Sequence, residues 1–341
     1  MQTVGIIFGG QSGEHEVSIS SAKSVCQALG QDLAHKYRVQ PFYIAKNGAW
    51  ADRQTTALAL DSGRSQTVEQ SHVVEVLAEL LTVDVVFPVL HGPYGEDGKV
   101  QGLLEMLGIK YVGNGVLASA VGMDKITMKS LFAQAGLAQV KYLPLLANQW
   151  QREPDSWCEQ IEIELGYPAF VKPSNLGSSV GISKVRDRQQ LITAIDLALQ
   201  FDQRIIIEQG QTVREIECAV LGNDLSLHTS CVGEVTYQSD FYDYETKYTA
   251  GMAQYIVPAV IPPAVEQVVK NMSIKAFQAI AGRGLARVDF FYIESSATVL
   301  INEINTMPGF TATSGYPKFW QKSGINFPDL CDRLVCLALE G

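Results

Sequence analysis

Long apolar runs are missing from this chain of 341 residues. No stretch approaches the length that spans a bilayer, and the N-terminus passes into the strand-like VGIIF without a signal-peptide pattern. The expected location is therefore the cytoplasm, with no membrane partner. An excess of basic residues is missing as well. Lys and Arg number 26 against 36 Asp and Glu, and the net charge of -10 argues against a broad nucleic-acid or anionic-lipid surface. A local basic site for a small anion stays open. A cysteine framework is also absent. The 6 cysteines (Cys26, Cys158, Cys218, Cys231, Cys331 and Cys336) are scattered, without C-x-x-C or a histidine at zinc-ligand spacing, and read as reduced, mostly buried thiols. Neither internal repeats nor low-complexity tracts occur. What is left, 47% hydrophobic and 18% charged, is a globular composition with length for two or three domains.

Strand and helix alternate in the N-terminal part: strand at 4–10, helix at 18–29, strand at 37–45, helix at 72–81 and a buried strand at 83–90. Such alternation predicts an α/β unit with a parallel sheet covered by helices, and the polar residues 51–71 read as its loop. A second unit begins near Gly113. It carries a helix at 124–136, strands at 169–174, 180–185 and 204–209, and a helix at 187–201, with short-range strand succession that predicts antiparallel pairing and an α+β character. The third contains REIECAVLG (214–222), an aromatic loop at 236–255, a helix at 263–282 and a C-terminal hairpin.

That hairpin carries the sharpest chemistry. Residues 287–293 (RVDFFYI) and 298–304 (TVLINEI) flank the polar ESSA, and a turn centred near Ser296 sets Asp289 opposite Glu303, Arg287 opposite Asn305 and Phe291 opposite Ile301. Period 2 puts Arg287, Asp289, Glu303 and Asn305 on one face, with Val288, Phe290, Tyr292, Leu300 and Ile304 on the core face and Asn302 fitting neither. Carboxylates directly across a ladder, roughly 5 Å apart, repel. A hard divalent cation would resolve this; Arg287 as a counterion on an exposed polar face is the plainer alternative.

Other stretches suggest ligand contacts. GGQSGEHEVS (9–18) is a glycine turn leading into a helix, where Glu16 either stabilises the helix start or binds a substrate amine. Its spacing is not that of a dinucleotide fingerprint. HGPYGEDGKVQG (91–102) follows a buried strand and places His91 where substrates gather in α/β sheets, although a structural histidine is equally open. AFVKPSNLGSSVGISKV (169–185) joins Lys172 to a glycine and serine loop able to cover phosphates, and it is not a Walker A loop. TYQSDFYDYETKYTAG (236–251) interleaves aromatics with charge, as a lid or an interaction surface would.

In order and over nearly the whole chain, HEVS after the glycine turn, HGPYGEDGKVQG, GMDK, VKPSNLGSSVG, FYDYETKY and RVDFF with NEINTMPGFT resemble the D-alanine:D-alanine ligase family of ATP-grasp enzymes. The resemblance implies three domains at 1–113, 114–211 and 212–341, with ATP between the second and third. It implies ATP contacts from Lys125, Lys172, Ser178, Glu208, Glu215 and Lys247, and Mg2+ or Mn2+, as two ions, on Asp289, Glu303 and Asn305. Glu16 would hold the first D-alanine's ammonium, Arg287 and the Gly309 N–H the oxyanion, and Lys247 with Ser314 the second carboxylate. His91 would stand by the substrate, and Tyr248 would link Ser178 to Glu16 across a closed lid. The implied reaction joins two D-alanines through an acyl phosphate for peptidoglycan precursor synthesis, in a homodimer. Tyr248 matches dipeptide-forming members, whereas relatives that accept D-lactate replace this tyrosine, which favours D-alanine twice; a ligase taking D-lactate or D-serine as second substrate is the alternative. Gly315 departs from the bulky aliphatic residue usual after Ser314.

Overall fold

The computed structural model describes residues 1–177, 180–224, 226–237 and 253–340. Its first sheet holds β1 (Gln2–Gly9), β2 (Tyr37–Ile44) and β3 (Val85–Pro88) in the parallel order β2-β1-β3. Alternation along β1 divides its side chains between two layers. Val4, Ile6 and Phe8 pack with Ile19, Ala22 and Val25 of the helix His15–Gln27, while Ile7 meets Val76, Leu80, Val100 and Leu104 on the other face.

β4 (Tyr142–Leu146), β5 (Ala169–Pro173), β6 (Ser183–Val185) and β7 (Arg204–Gln209) form a wholly antiparallel sheet, ordered β4-β7-β5-β6. Helices Pro154–Glu164 and Arg188–Ala198 cover it through Cys158, Ile161, Leu191 and Ile195. The third sheet is also antiparallel, with order β10-β9-β8-β11-β12: β8 (Arg214–Asn223), β9 (Ser226–Tyr237), β10 (Ala253–Ile256), β11 (Gly284–Ile293) and β12 (Thr298–Asn305). Helix Pro263–Ala279 packs on one face. So do Val116–Met123 and Lys125–Gln134, which precede the four-stranded sheet in sequence yet bury Val121, Met128 and Phe132 against the five-stranded one.

Two expectations are corrected. Residues 51–71 are not all loop: Arg53–Ser62 is a helix whose N-terminal Thr55 N–H donates to Asp52 at 2.7 Å and whose end is closed by Gly63 at φ 67. In the hairpin, Phe291 pairs with Leu300 instead of Ile301, because a β-bulge separates Asp289 from Phe290. The strands leave the turn with Ile293 opposite Thr298; continued without interruption, that register would set Asp289 against Asn302. Asn302 is the inserted residue, and it restores Asp289 to Glu303 and Arg287 to Asn305. Beyond it the buried side chains of β12 are Val299 and Ile301, with Leu300 only half-buried.

Asn114 ties the first unit to the hairpin. Its Nδ2 donates to Leu285 O at 2.6 Å and Thr306 O at 2.9 Å, and its Oδ1 accepts the Arg283 N–H at 3.0 Å, all at 2% exposure. Asn114→Ala strands three backbone groups, and urea unfolding is expected to show a loss of about 3 kcal/mol; a loss under ~1 kcal/mol would show that water replaces the amide.

Candidate active site

A cavity of about 700 Å3 opens where the N-terminal glycine turn, the β12 end and the loop after it converge. Among the residues singled out from sequence, Glu16, Lys125, Arg287, Glu303, Asn305, Gly309 and Ser314 line it, joined by Glu14, Glu96, Tyr255 and Lys318. Ser178, Lys247 and Tyr248 lie outside the described residues, as does most of the expected aromatic lid.

Glu303 lines the cavity as the end of a row of carboxylates. Glu217 on β8 pairs directly with Asp289 on β11, and Asp289 directly with Glu303 on β12. Arg287, two residues from Asp289 and therefore on the same face, donates from Nε to Asp289 Oδ1 at 2.7 Å and from Nη2 to Oδ2 at 2.6 Å; its Nε lies 3.3 Å from Glu217 Oε2. The plainer reading of the hairpin, Arg287 as counterion, is thus present in the geometry. Asn305 Oδ1 accepts the Met307 N–H at 2.9 Å and begins the loop. Among the described residues no group of three or more His, Cys, Asp or Glu closes into a ready metal cage. Two carboxylates and an amide oxygen on one face are nonetheless the hard donors that a divalent cation shares with phosphate.

At the opposite wall the helix His15–Gln27 is held by its own HEVS residues. Ser18 Oγ accepts the Gly9 N–H at 2.8 Å and donates to Val89 O at 2.6 Å, while His15 Nδ1 reaches Gly10 O at 2.6 Å. Glu16, in the first turn, stands exposed at the rim and ion-paired with Lys46 at 2.6 Å. Glu14, one position before the helix, turns inward. A Cβ on Gly92 would come within 2.9 Å of its Oε2, so this approach requires glycine there. In GEHEVS two glutamates compete, and the point where the helix begins, which the sequence does not mark, decides between them.

His91 braces the loop after β12. At 2% exposure its Nδ1–H donates to Met307 O at 3.0 Å and its Nε2 accepts from Ser21 Oγ at 2.9 Å; burial lowers its pKa and keeps the ring neutral. Glu96, missed from sequence, is buried at the cavity wall and accepts the Gly92 N–H at 2.9 Å. Burial, reinforced by the Glu14 carboxylate, pushes its pKa up to about 8.

Of the remaining candidates, Lys172 and Glu208 sit on the four-stranded sheet, Lys125 on the helix Lys125–Gln134 and Glu215 on β8. Lys172 Nζ donates to Glu208 Oε2 at 2.6 Å, and Lys129 Nζ lies 3.1 Å from Glu208 Oε1, with all three buried. Burial opposes charge on Glu208, but Lys129 and Lys172 outweigh it and hold the carboxyl at about 2. Burial also works against the Lys172 ammonium, yet Glu208, Glu303 and Glu215 keep its pKa above the ordinary value; on Lys129 burial prevails. Lys129 was missed although it lies four residues after Lys125, on the same helical face. Lys125 itself donates to Leu176 O at 2.6 Å, at the root of the glycine loop. Glu215 accepts the Tyr237 hydroxyl at 2.6 Å.

Because Glu96 is neutral when folded up to about pH 8 and has an ordinary value of 4.5, its contribution is fully present below pH 4.5 and is lost as pH rises toward 8. Glu96→Gln removes that loss. Its stability relative to the parent, from urea midpoints, is expected to rise by up to ~1.4 kcal/mol per pH unit between pH 5 and 8; parallel pH profiles would mean that Glu96 ionises normally.

The family described as D-ala D-ala ligase N-terminus matches residues 3–114, and D-ala D-ala ligase C-terminus matches residues 131–336. A D-alanine--D-alanine ligase of Geobacillus kaustophilus (strain HTA426) is 47% identical over 356 aligned positions, covering 99% of this chain and 94% of that protein. Among solved structures, the VanG D-Ala:D-Ser ligase from Enterococcus faecalis superposes with a TM-score of 0.83 at 34% identity, covering 99% of each chain. The D-alanine-D-alanine ligase from Coxiella burnetii gives 0.80 at 32% identity, covering 100% of this chain and 96% of that one.

Proposed function

This chain belongs to the D-alanine–D-alanine ligase family, with its ATP-grasp fold and ATP-dependent carboxylate–amine ligation, and we propose that it joins two D-alanines in the cytoplasm for peptidoglycan precursors, as a homodimer. The observation that supports this most is one cavity lined by the inward carboxylate of Glu14, by Arg287 beside Glu303 and Asn305, and by the start of the helix Gly315–Lys322.

Glu14 takes the ammonium of the first D-alanine, with Glu16 and Lys46 forming the rim. The carboxylate of that amino acid attacks the γ-phosphorus of ATP, ADP leaves, and an acyl phosphate forms. Lys172 and Lys129 screen phosphate charge, and Lys125 anchors the glycine loop. Asp289, Glu303 and Asn305 would hold Mg2+ or Mn2+, which when bound neutralises phosphate oxygens. The second D-alanine, its carboxylate received by Ser314, Lys318 and the positive helix end, loses its ammonium proton and attacks the acyl carbonyl. Arg287 and the Gly309 N–H receive the oxyanion, and phosphate departs. Glu215 lies on the ribose side. Ser178, Lys247 and Tyr248 enter this scheme through the sequence resemblance alone. The 34% identity to a D-Ala:D-Ser ligase keeps D-serine as the alternative second substrate.

Phosphate release from ATP and Mg2+ is expected with D-alanine and not with L-alanine, with D-alanyl-D-alanine as the product by mass. A product carrying D-serine when both amino acids are offered equally would favour the alternative. Asp289→Asn and Glu303→Gln are each expected to lower D-alanine-dependent ADP formation by ~10²-fold or more while far-UV circular dichroism is retained. Turnover near the parent's in either variant would remove the hairpin as the metal platform.

A further inference from the structure

The helix Gly315–Lys322 opens on a residue without a side chain, and the space beside it is filled from another element. A Cβ built on Gly315 would lie 2.9 Å from Tyr255 Cζ, 2.9 Å from its hydroxyl oxygen and 3.0 Å from Cε1. The phenol arriving from β10 thus occupies the volume that a side chain at 315 would take. A relay of rings fixes it there. Phe319 meets the Tyr255 ring edge-on, with centroids 5.7 Å apart at 76°, and the Lys318 ammonium lies 5.4 Å from the same ring centroid. Phe319 in turn is seated over Gly233, where a Cβ would come within 2.2 Å of its ring. Tyr255, Gly315, Ser314 and Lys318 all face the main cavity.

Resting on the ligase reading above, we propose that Tyr255 and Gly315 form one unit that sets the size of the second amino acid, admitting a side chain no longer than that of alanine or serine. The argument is positional. If the incoming carboxylate sits at Ser314 and Lys318, its α-carbon lies within a few ångströms of residue 315, and the side chain there meets the phenol. An aromatic ring held by an edge contact yields less than an aliphatic chain would, because it has only two side-chain torsions and both are fixed by packing. Each methylene that such a wall rejects is worth roughly 10- to 200-fold in discrimination. Gly315 is then not a gap in the pocket. It is the recess that lets a stiffer wall stand closer.

The test is a competition for the second site. The full chain is given ATP, Mg2+ and D-alanine with an equal concentration of D-2-aminobutyrate or D-norvaline, and the C-terminal residue of each dipeptide is assigned by tandem mass spectrometry. The unaltered chain is expected to place D-norvaline there at least ~10²-fold less than D-alanine. Tyr255→Ala and the less drastic Tyr255→Leu are each expected to raise that product ratio ~10-fold or more, while the N-terminal residue stays D-alanine. Gly315→Ala is expected to raise the second-substrate KM, with partial rescue when Tyr255→Phe removes one of the three close contacts. A merely structural role would lower turnover without moving the ratio. A ratio within about twofold of the parent's in the Tyr255 variants that still form dipeptide would overturn the proposal alone. No dipeptide from the unaltered chain would overturn the ligase reading first.

Discussion

Like charges standing side by side on a sheet are the constraint around which this molecule is arranged. Glu217, Asp289 and Glu303 occupy directly paired positions on three adjacent strands, a spacing that weakens a ladder unless cations intervene. The chain supplies the first cation from within: Arg287, two residues from Asp289, shares its face and engages Asp289 and Glu217. Glu303 also acts on Lys129 and Lys172, raising the pKa of each against burial. The face therefore remains a place where further positive charge is stabilised, and the cavity opens over its Glu303 edge.

Such a face is useful only if the loop beyond it is held still. Residues 306–311 leave β12 and are gripped by groups distant in sequence: Thr306 O and Met307 O accept from Asn114 and His91, and the Phe310 N–H donates to Ser21 Oγ at 3.3 Å. The Phe310 ring packs on Phe87, Tyr316 and Phe327, with centroids 5.4 to 5.9 Å apart. The same hydrophobic cluster runs from β1 to the helix Phe327–Glu340. The N-terminal sheet is thereby fastened to the carboxylate-bearing face, and Glu14 and Gly309 line one cleft.

Much of this was legible because it follows from period. Alternation of strand and helix gave the parallel sheet, and period 2 put Arg287, Asp289, Glu303 and Asn305 together. That register survived through a compensation that periodicity does not contain: the turn is tighter than centring on Ser296 supposes, and the bulge at Asn302 adds the residue back. The polar Asn302 in an apolar strand was its only trace. The helix Arg53–Ser62 was hidden by low hydrophobicity, although Asp52 and Gly63 mark its ends. Glu14 against Glu16, and Lys129 against Lys125, were decided by where a helix begins and which turn faces inward, and no spacing rule fixes that without the neighbouring sheet.

Charge makes the same point at the level of the whole chain. A net charge of -10 opposes a polyphosphate ligand in the sum, yet binding responds to the local field. Lys172 on the four-stranded sheet and Lys129 on the helix Lys125–Gln134 flank a single Glu208 that stays ionised, so two lysines share one carboxylate in a low dielectric. Glu208 confines two ammonium groups that would otherwise repel each other, and burial holds down the pKa of Lys129. The carboxylate row carries negative charge on three adjacent strands. A phosphate chain escorted by a divalent cation is complementary to both at once, because its anionic oxygens suit the lysines and its metal suits the row. Neither half alone offers both signs of charge to one ligand.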